Sequence, residues 1–333
     1  VVDSRSARPR AAAFGLLFGL AVSVLAAATL KAPQPELGAS LPRALIDYGL
    51  PLARALTDLA AAAMLGFGLL PVLLVKDSPA MGRAALRASV PANVLLVLTA
   101  VLTLVLETAK GASGSRFDFG LLAEEVRAQR TGVALLALAA IGLVCLALNL
   151  GCHSRPQRVP SELRLIAAGA ALLPLPMTGH GQHSAYQGLI MLTRGTHVIG
   201  AAAWTGGLFA LALLVVSRRA ELVAALPPFS RLATVALLLV GGTGVVDAVV
   251  QVLATPGAGL PALWRTDYGA LALAKVVCVL VLALLGGQIR YRLMPHIAAG
   301  RPCGLIGWAG CELGVMGAAY GLAALLSRSD AVL

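Results

Sequence analysis

The chain is built from apolar runs long enough to cross a lipid bilayer, and no other feature of it restricts the possible folds so strongly. A hydrocarbon core of about 30 Å takes about 20 residues of helix. Runs of that order stand at residues 11–30, 50–75, 89–108, 131–151, 188–216, 231–254, 268–289 and 304–326, with a shorter one at 163–179, each bounded by charge or by Pro and Gly clusters. Inside lipid a segment has to satisfy its own backbone N–H and C=O groups, so each crossing is a helix. The expected fold is all-α, a polytopic integral membrane helix bundle of about nine transmembrane helices. With 59% apolar and only 12% charged residues, a soluble domain is excluded.

A formal charge of +11 raises the question of nucleic acid. The basic residues sit in short connections between apolar runs, and the few aromatics do not interleave with them. That placement suits an anionic membrane surface, so lipid is the expected partner and nucleic acid is not. Three Lys or Arg fall in the N-terminal stretch (Arg5, Arg8, Arg10) and in every second connection thereafter, 15 in all, while the alternate set holds eight, four of them in the long 109–130 connection that also carries Asp118, Glu124 and Glu125. Cytoplasmic loops retain positive charge, which puts the N-terminus inside and the C-terminus outside. Residues 11–30 read as a first span, because the run is longer than the roughly 7 to 15 residues of a signal-peptide core. The connection at 109–130 is expected to be partly helical and to lie outside, near the membrane surface. The spans divide into an amino-terminal four-helix region, residues 1–160, and a five-helix domain, residues 161–333.

Of five cysteines, Cys145 and Cys278 lie within apolar runs, no CxxC pair occurs and the count is odd, so they read as packing residues. Ionisable groups within spans are expensive and are candidates for function. Arg54 and Asp58 stand four apart on one helix face and are expected to neutralise each other. Asp247, Lys275 and Glu312 have no partner at that spacing and are expected to face the bundle interior.

The histidines carry the chemistry. Three of the five, His180, His183 and His197, fall within 18 residues. The proposed topology puts His180 and His183 at the outer surface and His197 about 14 Å down the following helix. The span before them is short and interrupted by Pro174, Pro176, Gly179 and Gly181, as in the broken helices that line transport sites. Met177 and Met191 stand near. Imidazole and thioether together favour copper, Cu(I) over Cu(II), while imidazole alone also suits zinc and iron. The competing reading makes these solvated surface histidines plus one hydrogen-bonded core histidine. His153 and His296 lie beside basic residues in inside connections and read as solvated.

From His197 the chain reads HVIGAAAWTGGLFAL, then PPFSRLATVALLLVGGTGVVDA, LWRTDYGALALAKVVCVLVLAL and CELGVMGAAYGLAALLSR; further upstream stands GLPLARALTDLAAA. This order of motifs, over roughly residues 178–328, resembles the copper resistance protein D (CopD) family, with the upstream stretch similar to the amino-terminal half of its longer actinobacterial type. The resemblance implies a bacterial cytoplasmic membrane protein that moves copper, usually inward, for copper homeostasis and supply of cuproenzymes. An external copper chaperone or a cytochrome oxidase assembly factor is an implied partner. The family's histidines map onto His180 and His197, and its recurring carboxylates onto Asp247 and Glu312. His183 is added from spacing alone. No Met-rich or His-rich tract occurs, so high-capacity scavenging is not expected, and no GxxxxGK[ST] loop occurs for an ATP-driven pump.

The leading expectation is copper transport without catalysis. Metal is captured by His180, His183 and Met177 with Met191 near, then passed to His197, with Asp58, Asp247 and Glu312 as a charge relay. The alternatives are a non-catalytic partner in assembly of a respiratory oxidase or another membrane complex, and a b-type haem protein. The unequal depths of His180 and His197 count against a shared haem.

Overall fold

The structure is a computed structural model that describes residues 15–21, 45–111, 118–154, 159–178, 187–254, 267–299 and 305–326. Among these residues it is all-helical, and seven helical stretches are long and apolar enough to cross a membrane: Leu50–Leu74, Pro79–Gly111, Arg130–Cys152, Gly188–Val215, Arg219–Val250, Gly269–Ile297 and Leu305–Leu326. In chain order the helices are α1 (residues 15–21), α2 (Leu50–Leu69), α3 (Pro79–Gly111), α4 (Phe119–Ala128) and α5 (Arg130–Ser154). They continue with α6 (Ser161–Ala170), α7 (Gln187–Ala210), α8 (Arg219–Ala254), α9 (Asp267–Gln288), α10 (Met294–Ala298) and α11 (Leu305–Leu326).

Two of the nine anticipated crossings differ from the seven. Of residues 11–30 only 15–21 are described; they form α1, packed against α11. Residues 163–179 do not make one continuous helix. The helix α6 ends at Ala170 after ten residues, about 15 Å of rise and half a hydrocarbon core, and after a turn the chain makes one 3-10 turn at Leu175–Thr178. Pro174 and Pro176 bring no N–H to that stretch, so an uninterrupted hydrogen-bond ladder could not run through it. The 109–130 connection is partly helical as expected. Asp118 caps α4 by accepting from the Leu121 N–H at 2.8 Å, which satisfies one of the orphan donors of its first turn.

Within lipid there is little hydrophobic drive between helices, so close backbone approach decides which helices form the centre. The central contact is α2 against α7. A Cβ added to Gly206 would lie 1.8 Å from the Ala62 carbonyl oxygen, a distance no side chain tolerates. Gly19 on α1 meets Gly314 on α11 in the same way. Buried hydroxyls are spent within their own helices: Thr57, Ser89, Thr103 and Thr108 donate to carbonyls four residues back. Thr57 and Thr103 also face each other at 3.3 Å across α2 and α3.

On α2 the residues Arg54, Asp58, Ala62 and Gly66 follow one another at four-residue steps, so one stripe carries both the two charges and the two small residues that touch α7. Close packing of that stripe is what holds Asp58 inside the protein.

Candidate functional site

Several of the ionisable groups within the spans are linked across α7, α8 and α9. Two rungs join α7 to α8. Thr193 and His197, one turn apart on α7, meet Asp247 and Thr243, one turn apart on α8. The Thr193 hydroxyl donates to Asp247 Oδ1 at 2.5 Å, and His197 Nδ1 lies 3.0 Å from Thr243 Oγ1.

The second rung fixes the imidazole. The Thr243 hydroxyl donates to the Leu239 carbonyl at 2.6 Å, so its proton is committed. Its oxygen therefore accepts from His197 Nδ1–H, and His197 Nε2 carries the lone pair. A ring nitrogen held this way, with the other nitrogen free to ligate, is the usual arrangement of a metal-binding histidine.

His197 lines a cavity of about 140 Å³. Asp58 from α2, Trp204 and Thr205 from α7, Lys275 from α9, and Met316 and Tyr320 from α11 share its wall, and the rest of the lining is aliphatic. The Tyr320 hydroxyl is buried beside Asp58 and Thr205 and makes no hydrogen bond of ordinary geometry. Around this chamber lie further charges. Lys275 is within electrostatic reach of Asp247 and of Arg194 on α7. Deeper in the bundle Trp204 Nε1–H donates to Glu312 Oε1 at 3.1 Å, with Trp204 4% and Glu312 2% exposed.

Arg54 does more than the sequence expectation gave it. It acts electrostatically on Asp58 along their shared face, as expected, and its guanidinium also donates to the Thr178 carbonyl and stands 3.8 Å from Glu107 on α3. It thus fastens the end of the broken stretch to α2 and α3, a role that i,i+4 spacing alone did not reveal.

The other residues singled out from sequence divide into three groups. His180 and His183 lie outside the described residues. Met177, on the 3-10 turn, and Met191, six residues before His197, are half-buried and do not line the cavity. Asp247 and Glu312 flank the cavity without forming its wall, whereas Asp58 and His197 face it directly. His296 is exposed, its Nδ1 2.6 Å from the Arg292 carbonyl, consistent with a solvated imidazole. Cys145, Cys152, Cys278 and Cys311 are free thiols. Sequence reading missed Glu107, Arg194, Met316 and Tyr320. Arg194 and Glu107 carried a signal, being charges inside apolar runs; Met316 and Tyr320 carried a weaker one, standing one and two turns beyond Glu312 on the same face of α11.

Among the described residues no three or more His, Cys, Asp or Glu converge as a metal-holding group, so the cavity offers one imidazole, one carboxylate and one thioether. Comparison with protein families identifies the chain at this point. A family model described as copper resistance protein D matches residues 223–326, and one described as the copper resistance protein D-like N-terminal domain matches residues 45–189. The chain belongs to the copper resistance protein D family. No curated protein and no solved structure matches it. The second family model runs through α2 to the start of α7 and the first from within α8 to the end of α11, so the cavity draws its wall from both matched regions and from the stretch of α7 between them.

Proposed function

We propose that the protein carries copper across the bacterial cytoplasmic membrane, inward, for copper homeostasis and cuproenzyme supply, as a carrier and not as an enzyme. The observation that bears this reading is His197, an imidazole inside a membrane bundle with Nδ1 tied to Thr243 and Nε2 left to ligate, in a chain of a copper resistance family. In the proposed orientation the end that holds Arg54, His197 and Asp247 faces outward, and copper arrives there at His180, His183 and Met177. Transfer between neighbouring ligands keeps the ion coordinated while it sheds water, which lowers the barrier to entering a low-dielectric interior.

The charge of the cargo follows from the same physics. The cost of moving an ion out of water grows with the square of its charge, so Cu(I) enters this largely aliphatic cavity far more cheaply than Cu(II). A thioether in the cavity wall also favours the soft ion. Asp58, Asp247 and Glu312 supply the compensating charge along the path.

The test is copper uptake into proteoliposomes by wild type and by His197→Ala. Uptake is expected to be abolished in a variant that remains folded by size-exclusion chromatography and thermal unfolding. Unchanged uptake removes His197 from the mechanism.

A further inference from the structure

We propose that Met316 is a second intramembrane copper ligand, binding Cu(I) through its Sδ together with His197 Nε2 in the one cavity that both residues line. The inference rests on the copper reading above and names the internal site that reading requires. Met316 stands twelve residues into α11, and only 2% of its surface is exposed. It is the one sulfur-bearing residue in the cavity wall.

Three observations make this more than a methionine filling a gap. First, Met316 and His197 border one shared, partly open space of about 140 Å³, so an ion entering that space would meet both side chains. Second, Asp58 and Tyr320 bring oxygen donors, which suit harder ions, and two further groups of the wall offer Cu(I) no lone pair. Trp204 N–H is engaged by Glu312, and Lys275 carries an ammonium with no lone pair to offer while it is protonated. Third, thioether and imidazole are the pair of neutral donors that selects Cu(I) over harder ions. Two neutral ligands also leave the ion its full charge, which Asp58 in the same wall can balance. Lys275 provides the opposing influence, a tethered cation that keeps Cu(I) from being held too tightly to leave.

The experiment uses the full chain in nanodiscs, loaded with Cu(I) by competition against a chromophoric Cu(I) chelator and examined by copper X-ray absorption. Variants are His197→Ala, Met316→Leu, Met316→Cys and Met294→Leu, each also made in a Met177→Leu, Met191→Leu background, so that sulfur in the copper shell cannot come from the thioethers near the entry histidines. Met316→Leu conserves volume and is expected to remain folded. We expect wild type to show sulfur in the copper coordination shell. Met316→Leu should lose that sulfur and bind Cu(I) on the order of tenfold or more weakly. Met316→Cys, which restores a soft donor, should regain both, and Met294→Leu should behave as wild type. Retention of wild-type affinity and sulfur scattering in Met316→Leu would overturn the assignment while leaving His197 and copper transport standing. A wild type that binds no Cu(I) would sink both readings.

Discussion

Helices α2 and α7 differ sharply from α8 and α9 in how the bundle holds them. In their most apolar windows 61% and 67% of the residues of the first pair are buried, against 11% for each of the second pair. The cavity lies between these unlike walls: Asp58 and His197 come from the tightly packed pair, while Val240 and Lys275 come from the loosely held one. A site assembled this way has a fixed half that sets ligand geometry and a half that can shift without breaking the core. Alternating exposure of the cavity asks least of α8 and α9, whose outer faces, with Leu238 and Leu284 about 70% exposed among the described residues, carry apolar side chains suited to lipid.

The comparison breaks most visibly at Gly206. Gly206→Leu puts a side chain where the α2 backbone already stands, and is expected to cost on the order of 3 kcal/mol or more and to abolish recovery of folded protein. Near-normal thermal stability of that variant would mean that α2 and α7 are not the fixed half. On the loose side, Asp247→Asn leaves the fold intact but removes the carboxylate beside Lys275. Copper transport should fall on the order of tenfold with little change in melting temperature; a large stability loss instead would show that α8 is held as firmly as α7. Arg54→Gln should lie between these, lowering both stability and uptake, because it frees the Thr178 carbonyl and leaves Glu107 without its cation.

The smallest effect is expected outside the spans. Burial and the neighbouring Glu107 carboxylate raise the Glu125 carboxyl above the ordinary glutamate range, against a lesser opposing pull from Lys110. A folded-state pKa above the unfolded one means that the folded protein binds more protons in that interval, so this group destabilises the fold as pH rises through it. Glu125→Gln should therefore raise the melting temperature slightly at neutral pH and not at all below the ordinary carboxylate range. A gain that persists in acid would point to a cause other than charge.

The bundle itself was legible because length and apolarity are local properties. His197 was legible too, since an imidazole nine residues into an apolar run is placed by helix rise alone. What surrounds it was not. On α11 Glu312, Met316 and Tyr320 follow one another at four-residue steps, so the inward face was marked by the carboxylate; which helix that face meets was not, and Met316 becomes informative only once α7 lies beside it. Arg54 illustrates a subtler limit. Its sequence neighbour at four residues was the natural partner, but Glu107 and Thr178 reach it from 53 and 124 residues away, and those distances leave no mark in a single sequence. The interruption at Pro174 and Pro176 was visible; how far it shortened α6 depended on packing against α2 and α5.

That half-length helix bears on how the protein is made. At about 15 Å, α6 is too short to partition into the bilayer as an independent unit. The helices it leans on, α2 and α5, precede it from the ribosome, and the 3-10 turn after it also packs against α7, which follows. We therefore expect α6 to enter the bundle by docking on α2 and α5, already in place, with the 3-10 turn settling only when α7 arrives. Cysteine-labelling of chains stalled before and after residue 215 should find Leu175–Thr178 water-accessible in the first and protected in the second.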